Sequence, residues 1–211
     1  MPIICFFGPD GSGKSTLAKI LAKRLNNENF RVRVSWMRGT HTSASLLAKF
    51  LSRFSVFRGS DNPYYGIRIP RRLKKMWQFI EFVSMLPVLL AKFLVPSILG
   101  YTVIAERYIP DFIVWVALTT RDPRYVNSIA ARFLLGLASR AEIMVYVAAE
   151  PEELLRRKND VGRNKILRQL RLYDIMAKQL NAFKLDTTGR SVEESLAELW
   201  SYLQRRIRLR R

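Results

Sequence analysis

The stretch Gly8-Pro9-Asp10-Gly11-Ser12-Gly13-Lys14-Ser15-Thr16 constrains this chain more than any other. It fits the pattern G-x-x-x-x-G-K-[ST] at every fixed position. Before it, Ile3-Ile4-Cys5-Phe6-Phe7 is a short apolar run of the kind a buried parallel strand shows. After it, Leu17, Ile20, Leu21 and Leu25 recur at helical spacing. Strand, glycine-rich turn and helix together are the context in which this pattern carries chemical meaning. Glycines let the backbone curl so that successive N–H groups face one concavity, an anion site. The helix that starts there adds its partial positive end. The spacing predicts a nucleoside triphosphate cradle. Gly8, Pro9, Asp10, Gly11, Ser12, Gly13 and Thr16 wrap the phosphates, Lys14 reaches the β- and γ-phosphates, and the Ser15 hydroxyl ligates Mg²⁺.

A chain of 211 residues suits one domain, 1–211, and 49% hydrophobic residues exclude a disordered one. The single cysteine, Cys5, cannot form an internal disulfide. A reducing, cytoplasmic setting is expected, and no signal peptide, since the apolar start is only a strand long and carries no basic leader. The formal charge of +19 leaves three partners in view: nucleic acid, an anionic membrane surface, or phosphate-rich substrates. Five of the last seven residues are arginine, either a solvated helix end favoured by the dipole or a nucleic-acid arm.

Phe30 to Trp36 alternates as a strand, and Met37 to Thr42 is a polar loop at its carboxyl end. Ligands bind at the carboxyl ends of strands in open α/β sheets, so Arg38 is a candidate contact for an anionic substrate. His41, the only histidine, shares that loop. Ser43 caps a helix whose apolar face is Leu46, Leu47, Phe50, Leu51 and Phe54. Arg58 to Arg72 reads as a loop, and its Tyr64, Tyr65 and Arg68 suit a base and a phosphate, or equally a surface loop. Trp77 to Gly100 is very apolar, interrupted by Glu81 and Lys92 and broken by Pro87 and Pro96. It reads as two helices buried in the core or in a subunit interface, with a membrane-surface helix as the alternative.

Tyr101 to Ala105 is another β-branched strand, and it ends in Glu106-Arg107-Tyr108. An acid at the carboxyl tip of a central strand facing the phosphate loop suits Mg²⁺-water ligation or hydroxyl activation. Arg107 can hold a second phosphate bidentately. Helices are expected at Asp111 to Leu118 and Arg124 to Ala138, and a strand at Glu142 to Ala148. Pro151 opens a helix that runs into the basic segment Arg156 to Lys165. A further helix carries Ile166 to Leu180, Phe183 to Asp186 is a fifth strand, and Ser191 with Glu194 forms a capping box. The predicted fold is α/β, a five-stranded parallel sheet with helices on both faces.

In this order the pieces resemble the thymidylate kinase branch of the P-loop nucleoside monophosphate kinases. The residues that carry the resemblance are Phe7 to Thr16, Glu106-Arg107-Tyr108, the basic run Arg156 to Arg168 and Leu185-Asp186-Thr187-Thr188. It implies a P-loop NTPase fold of three α/β/α layers with a small basic lid at about 156–168. It also implies ATP and Mg²⁺, transfer of the γ-phosphoryl to a nucleotide such as dTMP, and a homodimer built on the apolar helices. Asp10, Arg38, Arg107 and Tyr108 would then face the acceptor, with Arg68 beside them. Gly11 follows Asp10, so the loop offers no guanidinium, and a lid arginine is expected to complete the site on closure, Arg163 first and Arg157 next. The chain departs from the family in having Glu106 for aspartate. It has Arg38-Gly39-Thr40-His41-Thr42 without acid or proline, and Ile109-Pro110-Asp111-Phe112 where serine and glutamine are usual. These departures fall on the acceptor side, so a lipid-linked or sugar acceptor stays open. So does a nucleotide-dependent protein bound to membrane or nucleic acid.

Overall fold

A computed structural model of the chain describes residues 2–37, 42–62, 66–138, 143–157 and 162–208. In chain order the elements are β1 (Ile3–Phe7), α1 (Lys14–Asn27), β2 (Val32–Trp36), α2 (Ser43–Leu51), β3 (Arg58–Asn62), α3 (Lys74–Leu89), α4 (Val95–Ile98), β4 (Thr102–Glu106), α5 (Ile109–Thr119), α6 (Ile129–Ala138), β5 (Ile143–Ala148), α7 (Pro151–Arg157), α8 (Arg163–Gln179), β6 (Phe183–Asp186) and α9 (Val192–Arg208). Five strands make one parallel sheet in the order β2-β4-β1-β5-β6. The expected five-stranded parallel sheet is thus the one observed.

β1 lies at the centre and is buried on both faces. Its alternation divides the core in two. Ile3, Cys5 and Phe7 pack with Phe93, Phe112, Tyr146 and Tyr173 under α3, α5 and α8. Ile4 and Phe6 pack with Leu17, Leu21, Leu25 and Leu203 under α1 and α9. Each large side chain so buried contributes on the order of 1.5–3 kcal/mol. The register pairs Phe6 with Glu106 and Phe7 with Tyr146, so three strand ends come level beside Gly8.

Three local expectations need correction. Ser43 is the first residue of α2 and Thr42 holds the cap position, because the chain enters the helix one residue earlier. The loop expected over 58–72 contains β3, bridged at Arg58 and Asn62 to Ile67. The apolar stretch is one continuous helical run, not two helices. It spans Arg71–Ile98, because a π-helical segment over Leu90–Leu94 absorbs the register change that Pro87 and Pro96 impose. The expected strand start Glu142 lies outside the described residues.

The run from 71 to 98 is long and apolar enough to cross a membrane, although a third of its most apolar window is buried against the protein. Its one carboxylate, Glu81, points inward and is 2% exposed. The Trp77 indole N–H donates to Glu81 Oε1 at 3.1 Å, while Oε2 has no partner among the described residues. Burial pushes the Glu81 pKa up to about 8, the Trp77 bond opposing it. The folded state therefore binds a proton that the unfolded chain has lost between about pH 4.5 and 8, so stability falls as pH rises through that window. Glu81→Gln removes this liability. Its stability by urea denaturation should match the parent near pH 4 and exceed it increasingly towards pH 8, by roughly 1.4 kcal/mol per pKa unit of the shift. Parallel pH profiles for the two proteins would show that Glu81 is ionised in the fold.

Candidate functional site

The turn from β1 into α1 needs glycine for two separate reasons. Gly8 has φ 141° and lies so close to β5 that a Cβ would collide with the Val147 carbonyl. Gly11 and Gly13 have φ 89° and 92°, a left-handed backbone that L side chains avoid. Gly13 is the cap position of α1, so Lys14, Ser15 and Thr16 form its first turn and their N–H groups open toward the concavity. Lys14 is 4% exposed. Its ammonium folds back on the Pro9 carbonyl and donates to Ser12 Oγ at 3.1 Å, so the charge already lies across the cradle.

The tip of β4 completes this mouth. The Ser15 hydroxyl donates to Glu106 Oε1. Arg107 takes φ 69°, a left-handed conformation that costs a non-glycine residue about 1 kcal/mol or more. Its N–H donates to the Phe6 carbonyl at 3.0 Å, and its guanidinium pairs with Asp10 on one side and Asp111 on the other, the latter at 3.2 Å. Asp111 is buried and also accepts from Tyr173 Oη at 2.9 Å. Burial raises the Asp111 pKa above the usual range, while the Arg107 and Lys14 charges pull it down. The chain Tyr173–Asp111–Arg107–Asp10 thus ties α8 and α5 to the phosphate loop. Nothing in the spacing pointed to Tyr173, although Asp111 is four residues past Arg107.

A cavity of about 690 Å³ opens here, walled by Asp10, Ser15, Glu106, Arg107 and Trp36. The sequence pattern marks Trp36 only as a strand residue. A second cavity of about 320 Å³ lies on the other side of the loop, against Arg157, Thr187, Arg190 and Ser195. Gly11, Gly13 and Thr16 wall both cavities. Thr187 fastens the β6 end to the loop, its hydroxyl bonding the Ser12 and Ala148 carbonyls at 3.2 and 3.1 Å. Arg157 reaches the same corner: it donates to the Gly11 carbonyl at 3.2 Å and the Thr187 carbonyl at 2.9 Å, and Glu153 holds its Nε at 2.8 Å.

The structure therefore gathers Gly8 to Thr16, Glu106, Arg107 and Arg157 in one place. Among the described residues it leaves out Arg163, Tyr108 and Arg68. Arg163 pairs with Glu152 at 2.8 Å, is 65% exposed and walls neither of these cavities, whereas Arg157 contacts the loop. Arg157 also rests on the loop already, without any closure. Tyr108 is fully buried against Phe93 at 5.0 Å between ring centroids, because the chain turns inward there to start α5. It walls no cavity. Arg68 is exposed beside β3, its N–H on the Phe57 carbonyl, and walls neither cavity. Arg38, His41, Tyr64 and Tyr65 lie outside the described residues.

Ser15 and Glu106 offer two hard oxygens at the phosphate mouth. No group of three or more His, Cys, Asp or Glu side chains stands together among the described residues. Few protein oxygens beside substrate phosphates is the donor set Mg²⁺ takes in phosphoryl-transfer sites, so the residues fit that ion.

Sheet order, loop and site define a P-loop NTPase-like fold of three α/β/α layers. Among solved structures the chain is similar to thymidylate kinase from Candida albicans, with 15% identity, 96% of this chain and 91% of that chain covered, and a TM-score of 0.66. Residues 4–80 match the model of the ATPase family associated with various cellular activities (AAA), a little over a third of the chain that includes the phosphate loop. No curated protein matches the sequence.

The contact of Gly8 with β5 carries a direct test. Gly8→Ala should destabilise the protein by about 3 kcal/mol or more in urea denaturation, since strain at that φ adds to overpacking against a carbonyl. A change below about 1 kcal/mol would show that β1 and β5 can separate there without loss.

Proposed function

We propose that this chain transfers the γ-phosphoryl group of ATP, with Mg²⁺, to the phosphate of a nucleoside monophosphate. The observation that carries this reading is the pair of cavities sharing the phosphate loop. One compartment with an arginine suits a donor nucleotide, and the other, with Arg107, Asp10 and Trp36, suits a second substrate. A simple hydrolase needs only the first. Likeness in fold to thymidylate kinase makes dTMP the first acceptor to try, with dTDP as product.

In this reading the bond from the γ-phosphorus to the ADP oxygen breaks as one forms to an acceptor phosphate oxygen. The protein's part is positioning and charge. Loop N–H groups and Lys14 hold the triphosphate, and Arg157 stands on the donor side where charge develops. Arg107, fixed by Asp10 and Asp111, receives the acceptor phosphate, and Trp36 offers a flat wall for a base. Ser15 and Glu106 would hold Mg²⁺, which supplies neutralisation of the phosphate charge when bound. Closure over the mouth would exclude water and suppress hydrolysis.

A second reading, a nucleotide-dependent binding protein, is favoured by the AAA model match and the charge of +19. ADP release measured across the nucleoside monophosphates, with dTMP, dUMP and an acceptor-free control, separates the two. The kinase reading expects release that requires an acceptor. Release that ignores every acceptor would favour the second reading.

Substitutions test the roles. Lys14→Ala should lower kcat by on the order of 10²–10³ with the fold intact. Glu106→Gln should weaken Mg²⁺-dependent turnover more than ATP affinity. Arg157→Ala should lower kcat by roughly 10² or more, while Arg163→Ala stays within a few-fold of the parent. The opposite order for the two arginines would mean that the basic segment rearranges before transfer.

A further inference from the structure

The helix α3 and its neighbours α2 and α6 expose mostly apolar side chains. From Met76 to Leu99 every exposed residue is apolar, among them Met76, Phe79, Val83, Leu90, Val95 and Ile98. Phe79 is 64% exposed and Ile98 82%. Positions 76, 79, 83 and 90 recur at helical spacing, so they share one stripe. α3 packs on α2 through Trp77 and Ala48, and on α6 through the Phe82 and Phe133 rings, 6.0 Å apart. Those neighbours add Leu46, Phe50, Ile129 and Phe133, all more than half exposed. A water-facing helix places polar residues on this side, and an apolar stripe of this length, flanked by further exposed apolar residues on the two helices packed against it, marks an interaction surface.

The charge around the patch has one sign. Segments 42–60, 71–99 and 123–138 hold a single carboxylate, the buried Glu81. The neighbouring Asp122 is 8% exposed and lies 3.8 and 3.7 Å from Lys74 and Lys75. Lys49, Arg53, Arg71, Arg72 and Arg132 are exposed, and none forms an ion pair among the described residues. Arg72 falls one turn before Met76 on the same stripe, and Arg132 is next to Phe133.

We propose that this face docks on an anionic lipid bilayer, with α3 in the interfacial layer and the arginines among the headgroups. An apolar face set among cations, on a chain of +19, is the chemistry such a surface recognises. A second copy fits worse. A two-fold dimer pairs the patch with itself, and cations would meet cations with no exposed carboxylate in segments 42–60, 71–99 and 123–138 to receive them. The helix lies along the membrane and does not cross it, since its other side is the protein core.

The test is flotation of the full chain with vesicles of phosphatidylcholine alone and of an equal mixture with phosphatidylglycerol. The parent should float with the mixed vesicles only. Phe79→Gln/Val83→Gln should weaken that binding about tenfold or more, as should Arg72→Glu/Arg132→Glu, with ATP affinity unchanged as the check on folding. No binding to mixed vesicles overturns the proposal. So does equal binding by Phe79→Gln/Val83→Gln, which would assign adsorption to charge elsewhere, such as the arginines after Gln204. A micromolar dimer by light scattering that this variant splits into monomers overturns it too, because a second copy then covers the face.

Discussion

The close approach of Gly8 to the Val147 carbonyl is the constraint on which the rest depends. It lets the central strand end flush against its neighbour, so that the chain can turn sharply and begin α1 at once. The loop then lies across the tips of β4 and β5 and meets the β6 end through Thr187. A side chain at that position would push the loop off the sheet, and the Ser15–Glu106 contact and the Arg107 anchor would go with it.

The site is stiff on one side and basic on the other. Arg107 is held by two carboxylates and by its own backbone in a left-handed turn, so its guanidinium has little freedom left to lose on binding. Arg157 is fastened by Glu153, Thr187 and the Gly11 carbonyl. Preorganised donors of this kind stabilise developing negative charge without reorganising at the moment of reaction. The high net charge then has two places to act, the phosphate mouth and the outer face of the apolar helices.

The long helix links these two sides. Its inner face supplies Met85, Leu89 and Phe93 to the core beneath β1, and Phe93 packs on Tyr108 just after Arg107. Lys92 donates to the Trp36 carbonyl at 3.3 Å, and Ser35 donates back to the Lys92 carbonyl at 2.7 Å. The strand end that carries Trp36 is therefore pinned to the same helix whose outer face is apolar and exposed. Anything that seats the helix also fixes one wall of the larger cavity.

Much of this was legible in the sequence because it rests on local rules. The Gly8 to Thr16 spacing, the β-branched runs and the Ser191–Glu194 capping box each specify their own geometry within a few residues, and all three stand as read. Glu106 and Arg107 could be placed because a strand tip beside the loop has only one direction to face. Tertiary structure alone decided the rest. Tyr108 turns inward and Arg163 finds Glu152, while Arg157 finds Thr187 thirty residues away. Trp36 becomes a cavity wall because β2 pairs with β4, a contact no local pattern encodes. The prolines in the apolar stretch predicted breaks, yet packing along α3 and α4 offset their cost through a π-helical segment. Local rules set what each segment can be. Which side chains meet is set by long-range packing, and most of the site's contacts are between residues far apart in the chain.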